Sequence, residues 1–299
     1  MVKSISAGVR AAVLGAALLA PAAQAETIFA LTSDNRVITF NAATPGMIKT
    51  NQAIVGLSQG DSLLGIDLRP VDRKLYALGT SGNLYRLSAG GGSYTATNLG
   101  TLAASLTGNS FGFDFNPTVD RLRIVSDANQ NLRINPNTMP PGTIVDGALT
   151  LNGASPFDLL AVAYTNSRPG VTSTMLFGLD ARTGGLVRST NANAGTYVNI
   201  NPVGMAYQSL GLALDNSQAI GFDISGGTGL GYFNFNNDFY RINLATGAPT
   251  LVGSIGGMGS IVGLAAGSVP EPASWAMLIT GFGLVGAAAR RRHMPRAAA

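Results

Sequence analysis

A phrase returns through the middle of this chain at intervals that suit one kind of architecture. Gly65-Ile66-Asp67-Leu68-Arg69-Pro70 comes back as Gly112-Phe113-Asp114-Phe115-Asn116-Pro117, and weaker echoes begin at Ala161, Gly221 and Ile261. The starts lie 47, 49, 60 and 40 residues apart. A chain with such a period folds as similar units, each burying its apolar face against its neighbour. Each echo except the last leads into a second run (Lys74–Leu78, Arg121–Val125, Thr174–Gly178, Gly231–Phe235). A polar turn then gives a third (Asn83–Leu87, Asn131–Ile134, Gly185–Arg188, Asp238–Ile242). Fourth runs follow Gly-rich connections, as at Thr95–Leu99 and Pro249–Val252. Short runs rich in β-branched and aromatic residues, separated by Asn, Asp and Gly, read as strands joined by tight turns. Helix-period stretches are absent between Glu26 and Gly267, so the domain is expected to be all-β.

Four short strands per unit is the blade of a β-propeller. The runs Thr27–Leu31 and Asn35–Phe40 read as second and third strands with no first strand before them. Ile261–Leu264 reads as a first strand with nothing after it. Pairing the two completes one blade from both ends and removes an open sheet edge. The expectation is a propeller of five four-stranded blades over residues 26–266, with an insertion at about 191–214. Six blades or a β-sandwich are the alternatives.

Composition narrows the chemistry. The 299 residues include no cysteine, and the only histidine (His293) and tryptophan (Trp275) lie outside residues 26–266. That stretch therefore has no His-based triad, no thiol nucleophile, no disulfide and no ordinary zinc site. The formal charge of +4 comes from the two ends. Between the two ends 13 basic residues, Arg36 to Arg241, stand against 14 acidic ones, Glu26 to Asp238. That balance leaves no electrostatic footprint for nucleic acid.

The ends read as addresses. Residues 1–25 form a secretory signal helix: Lys3 and Arg10, the apolar stretch Ala11–Ala20, then Ala23-Gln24-Ala25 as a cleavage triplet placing Glu26 at the mature start. At the other end, residues 267–272 form a linker containing Pro270-Glu271-Pro272. Residues 273–289 carry no charge and are expected to form a transmembrane helix of about 25 Å. Residues 290–299, opening with Arg290-Arg291-Arg292, make a basic tail that the positive-inside rule keeps in the cytoplasm. Both ends place the domain outside.

Pro-Glu-Pro, an apolar segment and a terminal Arg cluster, in that order, resemble a PEP-CTERM sorting signal. The resemblance implies processing by an exosortase, a membrane protease-transpeptidase of bacteria that make extracellular polysaccharide. Pro270, Glu271 and Pro272 would be its recognition motif, and Arg290, Arg291 and Arg292 would hold the segment in the membrane until the chain reaches the cell surface or the extracellular matrix. The domain itself, through Leu75-Tyr76-Ala77-Leu78 and Gly112–Pro117, resembles a family of exported bacterial proteins whose domain has no assigned function.

Few residues are left to carry chemistry. Asp67, Asp114 and Asp223 hold equivalent places in three first strands, and carboxylates converging on a propeller axis are candidate ligands for a hard cation such as Ca²⁺. The preferred reading is structural, one carboxylate per blade accepting turn N–H groups or pairing with an arginine. The third-strand arginines Arg86, Arg133, Arg188 and Arg241 read as surface charges, and Gly226–Gly231 as a turn lacking the Lys-Ser/Thr of a phosphate loop. The sequence thus predicts an exported, non-catalytic binding or scaffold protein with no cofactor, whose partners are an exosortase, the membrane and an extracellular polysaccharide. The alternative is a Ca²⁺-dependent carbohydrate hydrolase or lyase working through the three aspartates.

Overall fold

A computed structural model describes residues 26–155, 157–200, 209–257 and 259–267. The segments expected to form the signal helix and the transmembrane helix, Pro270, Glu271, Pro272 and the Arg290–Arg292 cluster lie outside the described residues. Among the described residues no helix is long and apolar enough to cross a membrane.

The strands follow the repeat. The first blade takes β1 (Thr27–Thr32), β2 (Arg36–Asn41) and β3 (Thr44–Val55) from the start of the chain. The second is β4 (Leu63–Leu68), β5 (Leu75–Gly79), β6 (Asn83–Gly90) and β7 (Ser93–Thr101). The third is β8 (Phe111–Asn116), β9 (Arg121–Ser126), β10 (Asn131–Asn135) and β11 (Gly142–Val145). After β12 (Thr150–Leu151), the fourth blade is β13 (Leu159–Tyr164), β14 (Leu176–Asp180), β15 (Gly185–Asn191) and β16 (Thr196–Asn199). The fifth is β17 (Phe222–Ile224), β18 (Gly231–Phe235), β19 (Asp238–Ile242) and β20 (Pro249–Ser254). Finally β21 (Ile261–Gly267) returns to the first blade and pairs antiparallel with β1, Thr27 opposite Gly267 and Ala30 opposite Leu264. The ring closes through the two ends, as the orphaned runs required.

The innermost strands β21, β4, β8, β13 and β17 contact one another in that order around the axis. A separate apolar core fills each blade boundary. Leu78, Leu84, Phe113, Phe115 and Leu122 pack between blades two and three, and Phe40, Phe239, Ile255 and Leu264 between five and one. Phe40 meets Phe239 edge-on with ring centroids 5.2 Å apart, a favoured aromatic geometry. Stability without disulfides thus rests on five inter-blade cores.

Three details depart from the repeat. β3 is long enough to pair in parallel with β7, which joins the outer edges of the first two blades. β12 adds to the outer edge of blade four, parallel to β16. The insertion follows the fourth strand of that blade, because β16 occupies residues 196–199 that the sequence assigns to it.

The glycines of the recurring phrase explain how the inner strands come so close. A β-carbon at Gly65 would stand 3.0 Å from the Phe113 β-carbon, one at Gly112 2.8 Å from the Val162 nitrogen, and one at Gly221 2.3 Å from the Leu264 nitrogen. Each glycine faces the next blade's inner strand, and only a residue without a side chain fits there.

Candidate functional site

Two residues beyond each glycine, on the same face of the strand, stands the aspartate. Asp67, Asp114 and Asp223 are all buried, and one carboxylate oxygen from each lies within 4.8 Å of the other two at the axis. The equivalent positions in the other two inner strands are Ala163 and Ala265. Each carboxylate reaches to the neighbouring blade. Asp67 accepts the Leu68 N–H on Oδ1 (2.6 Å) and the Phe115 N–H on Oδ2 (2.8 Å). Asp114 accepts the Tyr164 N–H on Oδ1 (3.0 Å). Asp223 accepts the Ile224 N–H on Oδ1 and the Ala266 N–H on Oδ2, both at 2.6 Å. Asp114 also shares a side-chain hydrogen bond with Asp223, which raises the pKa of Asp114 and lowers that of Asp223.

Burial, then the neighbouring negative charge, keeps Asp67 and Asp114 well above the usual carboxylate range. Asp223, pushed up chiefly by burial and held back by its two main-chain bonds, titrates at about 7. A Ca²⁺ ion takes six to eight oxygen ligands from surroundings of carboxylates and carbonyls. Here the carboxylates already take five main-chain N–H bonds and share one between themselves, and amide hydrogens pointing inward repel a cation. The donor set suits protonated or hydrogen-bonded acids, which makes the trio an inter-blade fastening first.

Glu26 lies beside this centre and is likewise buried. Its carboxylate accepts hydrogen bonds from Ser225 Oγ and, at 3.1 Å, from Thr228 Oγ1, which ties the start of the domain to the fifth blade. Ala23 and Ala25, the rest of the cleavage signal, lie outside the described residues.

Above the aspartates opens a cavity of about 340 Å³. Its wall includes Leu68 and Ala266, whose amides bind Asp67 and Asp223, together with Phe29, Pro70, Pro169 and Ser167. Two guanidinium groups belong to it, Arg69 and Arg73. Arg69 is fixed: it binds both oxygens of Asp120 (Nε to Oδ1 2.7 Å), Asn137 Oδ1 at 2.6 Å and the Tyr76 hydroxyl at 3.0 Å. That bidentate pairing holds the Asp120 carboxyl below its ordinary range and ties blade two to blade three. Arg73 is exposed and forms no ion pair among the described residues. Thr27 and Gly267, the two ends of the propeller, also line this mouth.

The sequence located the aspartates but missed this cavity. A signal was present: blade two has Arg69-Pro70 where blade three has Asn116-Pro117, and a departure from a repeat marks a place where one blade does something its neighbours do not. The third-strand arginines do not converge. Arg133 pairs with Asp146 at 3.1 Å, while Arg188 and Arg241 line separate surface hollows. The Gly226 turn packs on Ser167, whose carbonyl oxygen a β-carbon at Gly226 would overlap.

Comparison with known proteins bears on both parts of the chain. A family model described as "Domain of unknown function (DUF4394)" matches residues 36–265, and the PEP-CTERM protein-sorting motif matches residues 268–292. No curated protein matches the chain. Among solved structures, the nidogen/laminin complex aligns over 81% of this chain and 98% of its own, at 12% identity and a TM-score of 0.40. A protein of unknown function from Bacteroides thetaiotaomicron aligns at 12% identity and a TM-score of 0.45, this chain covering 62% of its length. Glutaminyl cyclase from Myxococcus xanthus aligns at 9% identity and a TM-score of 0.41, over 81% of this chain and 95% of its own.

Proposed function

The chain belongs to the DUF4394 family and ends in a PEP-CTERM sorting motif, and we propose that its exported β-propeller is a non-catalytic binding and scaffold module of the cell surface or extracellular matrix. The motif implies export, membrane-associated sorting and processing by an exosortase. In this reading residues 273–289 hold the chain in the membrane until that processing, and the ligand is a carboxylate-bearing segment of extracellular polysaccharide.

The observation that carries the reading is the division of labour at the axis. The aspartates, the groups best suited to acid–base chemistry, are occupied in joining blades, while the open mouth above them offers Arg73 and apolar walls. A guanidinium beside Phe29 and Pro70 suits a sugar acid, with the charge pairing a carboxylate and the rings covering a sugar face. Purified chain should bind the host's own polysaccharide, and Arg73→Ala should weaken that binding at least about tenfold, a charged hydrogen bond being worth roughly 1.5–3 kcal/mol. No binding to any acidic glycan would overturn the reading. The crowding of Asp67, Asp114 and Asp223 supports one competitor, the Ca²⁺-dependent carbohydrate hydrolase or lyase. Calorimetric Ca²⁺ uptake together with glycan cleavage lost in Asp114→Asn would establish it instead.

A further inference from the structure

The two faces of the propeller carry opposite charge, and the chain ends leave from the basic one. On the face with the mouth, the turns after the innermost strands present Arg73, Lys74, Arg121 and Arg168, none of which forms an ion pair among the described residues. The acids of those turns, Asp72 and Asp120, are both taken up by Arg69. The turns joining third to fourth strands on this side carry no charge in any blade. On the opposite face Asp34, Asp127, Asp158, Asp215 and Asp238 outnumber Arg36 and Arg182.

The tail begins at this basic face. β21 ends at Gly267 on the rim of the mouth, and the uncharged run starts at Ala273. Six residue steps reach at most about 20 Å even when fully extended. A strand of five or six residues is itself about 17–20 Å long, so the acidic face sits a further domain thickness away. That exceeds two Debye lengths at physiological salt, about 8 Å each. The near face feels the charge of a surface and the far face does not.

We propose that, while the sorting tail is in the membrane, the propeller lies mouth-down on the bilayer, with Arg73, Lys74, Arg121 and Arg168 against anionic lipid headgroups. The proposal rests on the membrane-associated stage of sorting and is independent of what the mouth binds afterwards. Processing of the tail then frees the face as well as the protein, and the cavity opens to the outside only once the tether is gone.

The absence of cysteine makes the test clean, because one introduced thiol is the only one in the chain. Full-length Val71→Cys, on the basic face, and Ser33→Cys, on the acidic face, are labelled with a fluorophore and placed in nanodiscs carrying a headgroup spin-labelled quencher. In discs containing phosphatidylglycerol the label at Val71 should be quenched and that at Ser33 should not. Quenching at Val71 should fall at least about fivefold with Arg73→Glu/Lys74→Glu, a basic residue near an anionic surface contributing about that factor in binding. It should fall likewise in 0.5 M salt or in neutral phosphatidylcholine. Circular dichroism establishes that the double variant is folded, and Lys74→Glu/Arg168→Glu provides a second variant that leaves the cavity residues intact. Equal quenching at both labels, or quenching at Val71 that ignores lipid charge and both variants, would overturn the proposal.

Discussion

The carboxylate of Asp67 accepts the main-chain N–H of Phe115 at 2.8 Å, across the boundary between the second and third blades. Asp114 does the same for Tyr164 and Asp223 for Ala266, so three of five boundaries are fastened at the axis by one side chain each. Removing Asp67 with Asp67→Ala leaves two amides without their acceptor in a buried site, at about 1–3 kcal/mol each. The asparagine substitutions should separate the three. Asp114 uses one oxygen as acceptor and shares a proton through the other, so Asp114→Asn can keep both bonds and should fold with little loss. Asp67 and Asp223 each accept on both oxygens, which an amide cannot do. Asp67→Asn and Asp223→Asn should therefore both be less stable than Asp114→Asn in urea titrations at pH 6; equal midpoints would refute this division of hydrogen bonds among the three.

Stability should also depend on pH in a direction opposite to ordinary acid denaturation. Asp67 and Asp114 sit well above the usual value and Asp223 is at about 7, whereas the unfolded carboxyls release their protons near pH 4. Between these limits the folded chain binds more protons than the unfolded one. The stabilisation is complete at the acid end of the window and is lost as pH rises through about 7. Urea midpoints should fall from pH 5 to pH 8, and Asp114→Asn should flatten that fall. Ca²⁺ binding at the trio would reverse the trend, so a midpoint at pH 8 that climbs on adding Ca²⁺ would count for the cation-dependent enzyme.

At the acid extreme a different carboxylate dominates. Burial alone would raise Asp61, but hydrogen bonds from Tyr85 OH (2.7 Å), Ser81 and Thr80 outweigh it and bring the group to about 2. Its contribution is present above pH 4 and is lost as pH falls through about 2. Asp61→Asn should lower the urea midpoint at pH 6 and narrow the further loss between pH 4 and pH 2, measured by the same titrations.

The sorting motif makes a prediction of its own. Deleting residues 269–299 removes nearly all of the matched segment, 268–292, and the protein should then be secreted into the medium or misrouted. Cell fractionation that finds the truncated chain retained at the surface as before would contradict the role of the motif.

The repeat carried the fold because each echo preserves spacing and alternation together. Gly112-Phe113-Asp114 shows at once a strand, a face and a close approach, and the orphaned runs at Thr27 and Ile261 could be paired only by closing a ring. Convergence of the aspartates was legible for the same reason, since equivalent positions around an axis must meet. The mouth was not legible. It is assembled from Phe29, Arg69, Ser167 and Gly267, residues scattered over four segments with no shared pattern, and only the closed ring brings them together. Partner choice escaped as well, as when Arg69 in blade two selects Asp120 in blade three, because ion pairs between blades depend on how neighbouring turns lean. The parallel pairing of β3 with β7 was hidden because it links outer strands, whose sequences follow no repeat.

The inner glycines give the sharpest test of the closed ring, because their tolerance for a methyl group should follow the neighbour each one faces. A β-carbon at Gly221 would meet the main chain of Leu264 at 2.3 Å and one at Gly112 the main chain of Val162 at 2.8 Å. Neither backbone can yield without parting two blades. At Gly263 the nearest atom is the Ile66 nitrogen at 3.2 Å, a gap that a small shift accommodates. Overpacking of a tight core costs typically 1–3 kcal/mol, and Gly221→Ala should stand at or above the top of that range. Gly112→Ala should follow it, with Gly263→Ala costing about 1 kcal/mol or less. Thermal melts of the three variants under one buffer condition decide the matter. If Gly221→Ala melts with the wild type, β17 and β21 do not pack as inner neighbours and the ring is not closed where the two chain ends meet.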